Sequence, residues 1–398
     1  MLSLCIRIFI FFGLIMELNI NMPNVNRYTK LDGLRGLLSL IVALNHSFLV
    51  VAIPSSANVW GQNYLTFTNL QEKLQQLFMV LGNGGAAVTL FFILSGMVLG
   101  QSMVRVEFSF RGLLGFYLKR ILRLYPVYVF LIIATAIYMR FGFKYQVFPF
   151  ASSWYLWWMN FDMTFREFLK NLFFIHIYLG GVTWTLRVIL IASFIFPVFY
   201  QVSRRVGRLS NLIIAALLVL GSFTILNIGG FRDFRYLYMF YLGLILPKFS
   251  GLFVNLPGRF IKISLPFGLV LLLTIRYIIG EYLGGLVESI VSWFLIGSIV
   301  YCVRLSIFDI LNHKILLYFG KISYSLYLVH FSVLYLLARL MFWLLPSFPY
   351  SHSYLPIHLV LFALSLAVAT VISLIVHRFI ETPSSKAGNI LNQKILGQ

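Results

Sequence analysis

Residues 31–48 read LDGLRGLLSLIVALNHSF. The stretch is apolar over most of its length, as a segment meant for lipid must be, yet it keeps Asp32, Arg35 and His46. On an α-helix, eleven positions turn through about 1100°, about 20° past three full circles, and rise about 16.5 Å. Arg35 and His46 therefore share one helix face, about half a membrane apart. Arg35 falls near a membrane edge, where it snorkels or meets Asp32 three residues earlier. His46 falls near the bilayer midplane or somewhat beyond it, where an ionisable group is costly unless it faces a cavity or a partner. Two readings stand on the residues alone. One is a core imidazole satisfied by a backbone carbonyl, with Arg35 as a topology anchor. The other is a histidine that takes a proton from an attacking hydroxyl, or carries a group covalently.

The rest of the chain has the same character. Its 398 residues are 60% hydrophobic and 11% charged, with mean hydropathy +0.91. So few charges cannot cover that much apolar surface in water. The apolar runs are continuous rather than alternating, which excludes a β-barrel. An all-α, polytopic integral membrane protein follows. The net charge of +20 does not point to nucleic acid, because the cations sit in short gaps between apolar runs. Cys5 and Cys302 have no metal or redox spacing.

Ten transmembrane helices are expected, over about 34–53, 82–102, 124–141, 183–202, 210–228, 236–250, 263–280, 286–303, 322–345 and 355–378. With the N-terminus inside, most Lys and Arg fall in cytoplasmic gaps, so both termini are expected in the cytoplasm. Residues 1–27 contain a short apolar run interrupted by Arg7, read as an interfacial helix or a start-site extension. Residues 28–383 form one transmembrane domain and residues 384–398 a short cytoplasmic tail. The connection 142–182 carries WYLWWMNF, read as interfacial aromatic packing.

Between the second and third spans, RGLLGFYLKRILRLYP places Arg120 and Arg123 one turn apart on one helix face. Two guanidiniums there suit phosphates, or else set topology and touch anionic lipid. Lys119 is read as a solvated neighbour. Ser95, in FFILSG, lacks the strand–turn–helix setting of a hydrolase nucleophile, so Gly84, Gly85 and Gly96 are read as close-packing positions.

These segments carry a resemblance. YTKLDGLRGLLSLIVALNHSF, GNGGAAVTLFFILSGMVLG, FYLKRILRLYP, KISYSLYLVH and RFIETP occur in the order seen in the membrane acyltransferase-3 family, from about Tyr28 to Pro383. The chain resembles that family over nearly its whole length. The resemblance implies transfer of an acyl group, most simply acetyl, from acyl-CoA to a sugar hydroxyl of a surface polysaccharide, a lipopolysaccharide or another lipid-linked glycan. It implies His46 as general base or acyl carrier and Arg35 as its partner. It implies Arg120 and Arg123 at the acyl donor, and Trp184 and His330 at the substrate. It also implies a bacterial inner membrane, with acetyl-CoA as co-substrate rather than a resident cofactor, and membrane lipids as neighbours.

One position departs from the pattern. The family usually has W-[ST]-L-x-x-E, and here WTLRVI puts Ile189 where the Glu would fall. Ile can neither take a proton nor accept a hydrogen bond. Arg187 then needs another acid, with Asp162, Glu167 and Asp233 as candidates, or activity is reduced. His313 and His377 are expected near the inner edge and His352 and His358 near the outer edge. No set of residues has metal-site spacing, so no metal is expected. A carrier or flippase for a lipid-linked glycan is the rival, and a catalytically impaired relative is a third reading.

Overall fold

The computed structural model describes residues 27–52, 70–225, 232–302, 306–350 and 354–396. Most of the N-terminal extension with Cys5 and Arg7, and His352, lie outside the described residues. The described elements are α1 (Arg27–Ser47), α2 (Leu70–Leu81), α3 (Gly84–Met103), α4 (Phe110–Phe141), α5 (Ser153–Trp157), α6 (Phe165–Leu172), α7 (Thr183–Arg205) and α8 (Arg208–Ile225). They continue with α9 (Leu237–Ile245), α10 (Ser250–Val254), α11 (Gly258–Ile279), α12 (Glu281–Tyr301), α13 (Lys314–Leu344), α14 (Tyr354–Val376) and α15 (Thr382–Leu396). The described chain has no strand, only a single antiparallel bridge between Val51 and Ala151.

Eight helical stretches among the described residues are long and apolar enough to cross a membrane: Gln76–Met103, Phe110–Phe141, Thr183–Arg205, Arg232–Val254, Gly258–Ile279, Glu281–Tyr301, Lys314–Leu344 and Tyr354–Ile395. They coincide with eight of the ten expected segments. The other two are helical but set apart. α8 is apolar but short, with Arg208–Thr224 as its apolar part. α1 has 21 residues, enough for about 32 Å, but carries Lys30, Asp32 and Arg35 in its first half. Phe194, Leu217, Ile263 and Phe267 stay exposed on the outside of the bundle, as side chains facing lipid do.

α1 ties the bundle together. Leu31, Leu34, Leu38 and Val42 recur at helical spacing and join one apolar cluster with α3, α9 and α12. Phe48–Val51, just past its end, join a second cluster with α4 and α13. The glycines of the LDGLRG stretch explain the contact with α13. A Cβ on Gly36 would stand 2.1 Å from the Leu316 carbonyl oxygen, and one on Gly320 2.1 Å from that of Asp32. The two backbones touch, which only glycine permits. Gly96 and Gly243 do the same between α3 and α9, facing Phe240 O and Ile93 O. The Ser-Gly pair of FFILSG is thus a packing device.

The long connection folds back over the end of α1. Ser152 N donates to Val50 O at 3.0 Å, and Ala52 N to Phe150 O at 2.9 Å. Ser152 Oγ donates to Leu49 O and accepts from Tyr155 N, which starts α5. His358 of α14 is buried, and its Nδ1 donates to Ser47 O at 2.5 Å. The carbonyls left over at the end of α1 are therefore held by side chains from two other segments.

Candidate active site

A cavity of about 1060 Å³ opens between α1, α3, α4, α7, α13 and α15. Its wall carries Arg35, Lys119, Arg120, Arg123, Lys314, Lys321 and Lys386 against the acids Asp32 and Glu381. Lys119, Arg123, Lys314, Lys321 and Lys386 are exposed and form the mouth, while Arg35 and Arg120 are half-buried deeper in. Lys314 and Lys386 lie in the first turns of α13 and α15, while Arg35 and Arg120 lie further along α1 and α4. Arg35 Nη1 bonds Asp32 Oδ1 at 2.9 Å. Arg120 donates from Nε and Nη2 to Ser193 Oγ at 3.3 and 3.1 Å, and Ser193 Oγ in turn donates to Ile189 O at 2.7 Å. Ile189 itself lines the cavity. Cations so much in excess, some with their N–H groups free of carboxylates, suit an anion with several phosphates.

The last helix completes the wall. α14 runs into a π-helical turn, His377–Glu381, before α15 packs along α4. Glu381, buried, accepts from Ser325 Oγ at 2.5 Å and from His377 Nδ1 at 3.0 Å. Thr382, Ser385, Lys386 and Asn389 line the same space. Residues 384–396, read in the sequence as part of a tail, are helical, and Ser385, Lys386 and Asn389 among them line the cavity.

The inner end of the cavity is a floor. Thr185 Oγ1 donates to Val182 O at 2.8 Å and meets the Tyr327 hydroxyl at 3.0 Å. Leu186 and Leu328 line the space beside them. One helical turn past Tyr327, on the far side of that floor, sits His330. His330 Nε2 lies 2.9 Å from His46 Nδ1, and His330 Nδ1 bonds Leu326 O at 3.1 Å. His330 is buried and His46 keeps partial exposure. Trp154 of α5 covers one face of the His46 ring at 5.5 Å between centroids, and Phe331 meets it edge-on at 6.1 Å. The aromatic connection therefore packs against His46 and not merely at an interface.

Arg35 and His46 thus sit on opposite sides of the floor. Arg35, Arg120 and Arg123 share the cavity, and His46 and His330 share a hydrogen bond beyond it. Trp184 is in neither group. It packs edge-on against Phe92 at 6.1 Å and against Tyr236 at 5.2 Å, and its neighbour Thr185 reaches the floor.

Arg187 has an acid partner: its Nε pairs with Asp233, and its Nη1 donates to Phe174 O at 3.0 Å. Of the other candidate acids, Glu167 holds Lys170 at 2.6 Å and His176 at 2.7 Å, while Asp162 is exposed. The sequence places His377 near the inner edge and gives Glu381, within RFIETP, no role of its own. The signal available was the acid four residues before Ser-Lys in RFIETPSSK, at the point where an apolar run of helical length gives way to polar residues. Among the described residues no group of three or more His, Cys, Asp or Glu side chains is placed to hold a metal ion.

Comparison with known families gives one match: the family model described as an acyltransferase domain covers residues 28–378. No curated protein and no solved structure matches the chain.

Proposed function

Because the chain belongs to the membrane acyltransferase-3 family, we propose that it moves an acetyl group from acetyl-CoA to a sugar hydroxyl of a surface polysaccharide or lipid-linked glycan in a bacterial inner membrane. The observation that carries this reading is the pairing of a cation-lined cavity with an imidazole pair beyond its floor. The cavity, at about 1060 Å³, lies at the upper end of the size range of small-molecule sites. Arg120 and Arg123 hold the donor's phosphates at the cytoplasmic side, with the lysines at the mouth adding to the attraction. The pantetheine arm points inward toward Thr185 and Tyr327. Arg35, tied to Asp32, belongs to the donor chamber and shapes its field, rather than touching the reacting atoms.

In the transfer, the acceptor oxygen attacks the thioester carbonyl carbon. The new C–O bond forms and the C–S bond breaks. His46 takes the hydroxyl proton and returns it to the departing thiolate, so that an ester and a free thiol leave. The Tyr327–Thr185 contact opens to let the thioester pass. Trp154, stacked on His46, offers the acceptor sugar an apolar face on the side opposite the donor.

Ile189 does not argue against activity, since Arg187 takes its charge partner from Asp233. The test is chemical. Purified protein in lipid nanodiscs, given acetyl-CoA labelled in the acetyl group and the cell's own glycan, yields labelled ester, and His46→Ala does not. Cells lacking the gene lose ester-linked acetyl from their glycans. If His46→Ala leaves those esters in place while glycan export fails, the chain is a carrier and the acyltransfer reading is wrong.

A further inference from the structure

The hydrogen bonds around His330 fix which nitrogen of His46 can act. A carbonyl oxygen only accepts, so His330 Nδ1, bonded to Leu326 O at 3.1 Å, carries a proton. His330 is buried beside Tyr327 and His46, and among the described residues no carboxylate bonds either imidazole. A second proton on that ring would leave a buried cation without a counter-ion, which is costly. His330 is therefore neutral, and its Nε2 is an acceptor. The partner atom 2.9 Å away, His46 Nδ1, must then be the donor. The ring planes differ by only 6° with centroids 5.2 Å apart, so the two imidazoles meet edge to edge, as an N–H pointing at a ring lone pair requires.

We infer that His330 is a positioning residue that locks His46 in the Nδ1–H tautomer and so presents its Nε2 lone pair as the base. The chain of bonds runs from the Leu326 carbonyl, through His330, to His46. Each member sets the protonation of the next. The free imidazole of His46 would otherwise sample both tautomers, and in one of them the outward nitrogen carries a hydrogen and cannot take the acceptor's proton. His330 also stabilises the ring once it is protonated, because its acceptor faces the Nδ1–H in both states. This inference rests on the reading of His46 as the group that receives the hydroxyl proton. It assigns His330 to His46 rather than to the substrate.

The test has two independent arms. In the wild-type protein, labelled with ¹⁵N-histidine in nanodiscs at neutral pH, the His46 signals are assigned by their absence in His46→Asn. Nδ1 is expected to show a bonded hydrogen and Nε2 to be bare. In the second arm, His330→Gln keeps an acceptor at the place of Nε2, while His330→Phe keeps the bulk and removes the bond. We expect His330→Phe to lose about 100-fold or more in kcat with KM for acetyl-CoA within about threefold of wild type, and His330→Gln to recover at least tenfold of that loss. A bare Nδ1 with a hydrogen on Nε2 in the wild type overturns the inference. So does equal activity of the Phe and Gln variants, since a residue that only fills space would treat them alike. A wild-type protein that has the expected tautomer but moves no acyl group overturns the proposed reaction itself, and with it the role of His330 in that reaction. The nitrogen spectra do not depend on activity, so the two failures are told apart.

Discussion

Arg187 on α7 is neutralised by Asp233, 46 positions later in the chain, at the start of the 3₁₀ turn Arg232–Tyr236. This pair gives Arg187 the acid that Ile189, two residues along, cannot supply. Removing the acid leaves a half-buried guanidinium with only the Phe174 carbonyl for company. Asp233→Asn is expected to destabilise the protein by about 1–3 kcal/mol, read as a lower midpoint in thermal unfolding in detergent. An unchanged midpoint would show the pair to be incidental.

Ile189→Glu adds an acid to the cavity wall without removing any contact that Arg187 needs. Ile189 faces the cavity one turn before Ser193, the partner of Arg120. The variant is expected to acetylate the native glycan at least as well as wild type. A sharp loss of ester formation would mean that the cavity depends on the apolar residue.

Arg120→Ala and Arg123→Ala should each raise KM for acyl-CoA by about tenfold or more, because each removes a charge-assisted bond to phosphate. kcat should change less. Raising the salt concentration should raise the wild-type KM and matter less in the Arg123→Ala variant, since Arg123 is the more exposed of the two. Steady-state kinetics over a salt series reads both effects, and a KM indifferent to both substitutions would rule out these arginines as the donor site.

Gly36→Ala pushes a methyl into the Leu316 carbonyl, where a Cβ would stand only 2.1 Å away. Backbone cannot yield as a side chain does, so α1 and α13 must part. The expected cost is about 1–3 kcal/mol, with activity falling as well because α1 and α13 carry the two histidines. A variant with wild-type thermal stability would contradict the close crossing.

The Glu167 carboxyl in the aromatic connection is held below the usual carboxylate range, first by the hydrogen bond from Lys170 and then by that with His176. A carboxyl depressed on folding adds stability above its ordinary pKa of about 4.3, and that stability is lost as the pH falls through the lower folded value. Acidification below about pH 4 should therefore loosen residues 164–178, seen as faster amide exchange there than in α13, and Glu167→Gln should show the loosening already at neutral pH. Equal protection of the connection at pH 7 and pH 3 would refute it.

Much of this was legible in the sequence, and for physical reasons. Apolar runs of membrane length marked eight spans, and charges within α1 marked the residues that now line the cavity or bond one another. The Arg35–His46 spacing gave the shared face but not the floor between them, because a floor is made by Thr185 and Tyr327 from helices far apart in the chain. The His46–His330 bond joins positions 284 apart, and no local pattern announces it. The bond from His358 to the Ser47 carbonyl was not legible, since an apolar helix with one polar residue does not reveal which neighbour it serves. The sequence reading left Lys386 in a tail because fifteen mixed residues after the last span have no evident face of their own.

The stopper formed by Tyr327 and Thr185 has a meaning for the cell as a whole. A molecule that brings a solute from one compartment to an alcohol in another risks becoming a wire for protons, and a membrane that leaks them loses its voltage. Here one turn of helix, from Tyr327 to His330, separates the cavity from the imidazole pair. In the proposed transfer the acetyl group crosses at this contact, and the Tyr327 phenol, back on Thr185, closes the way between turnovers.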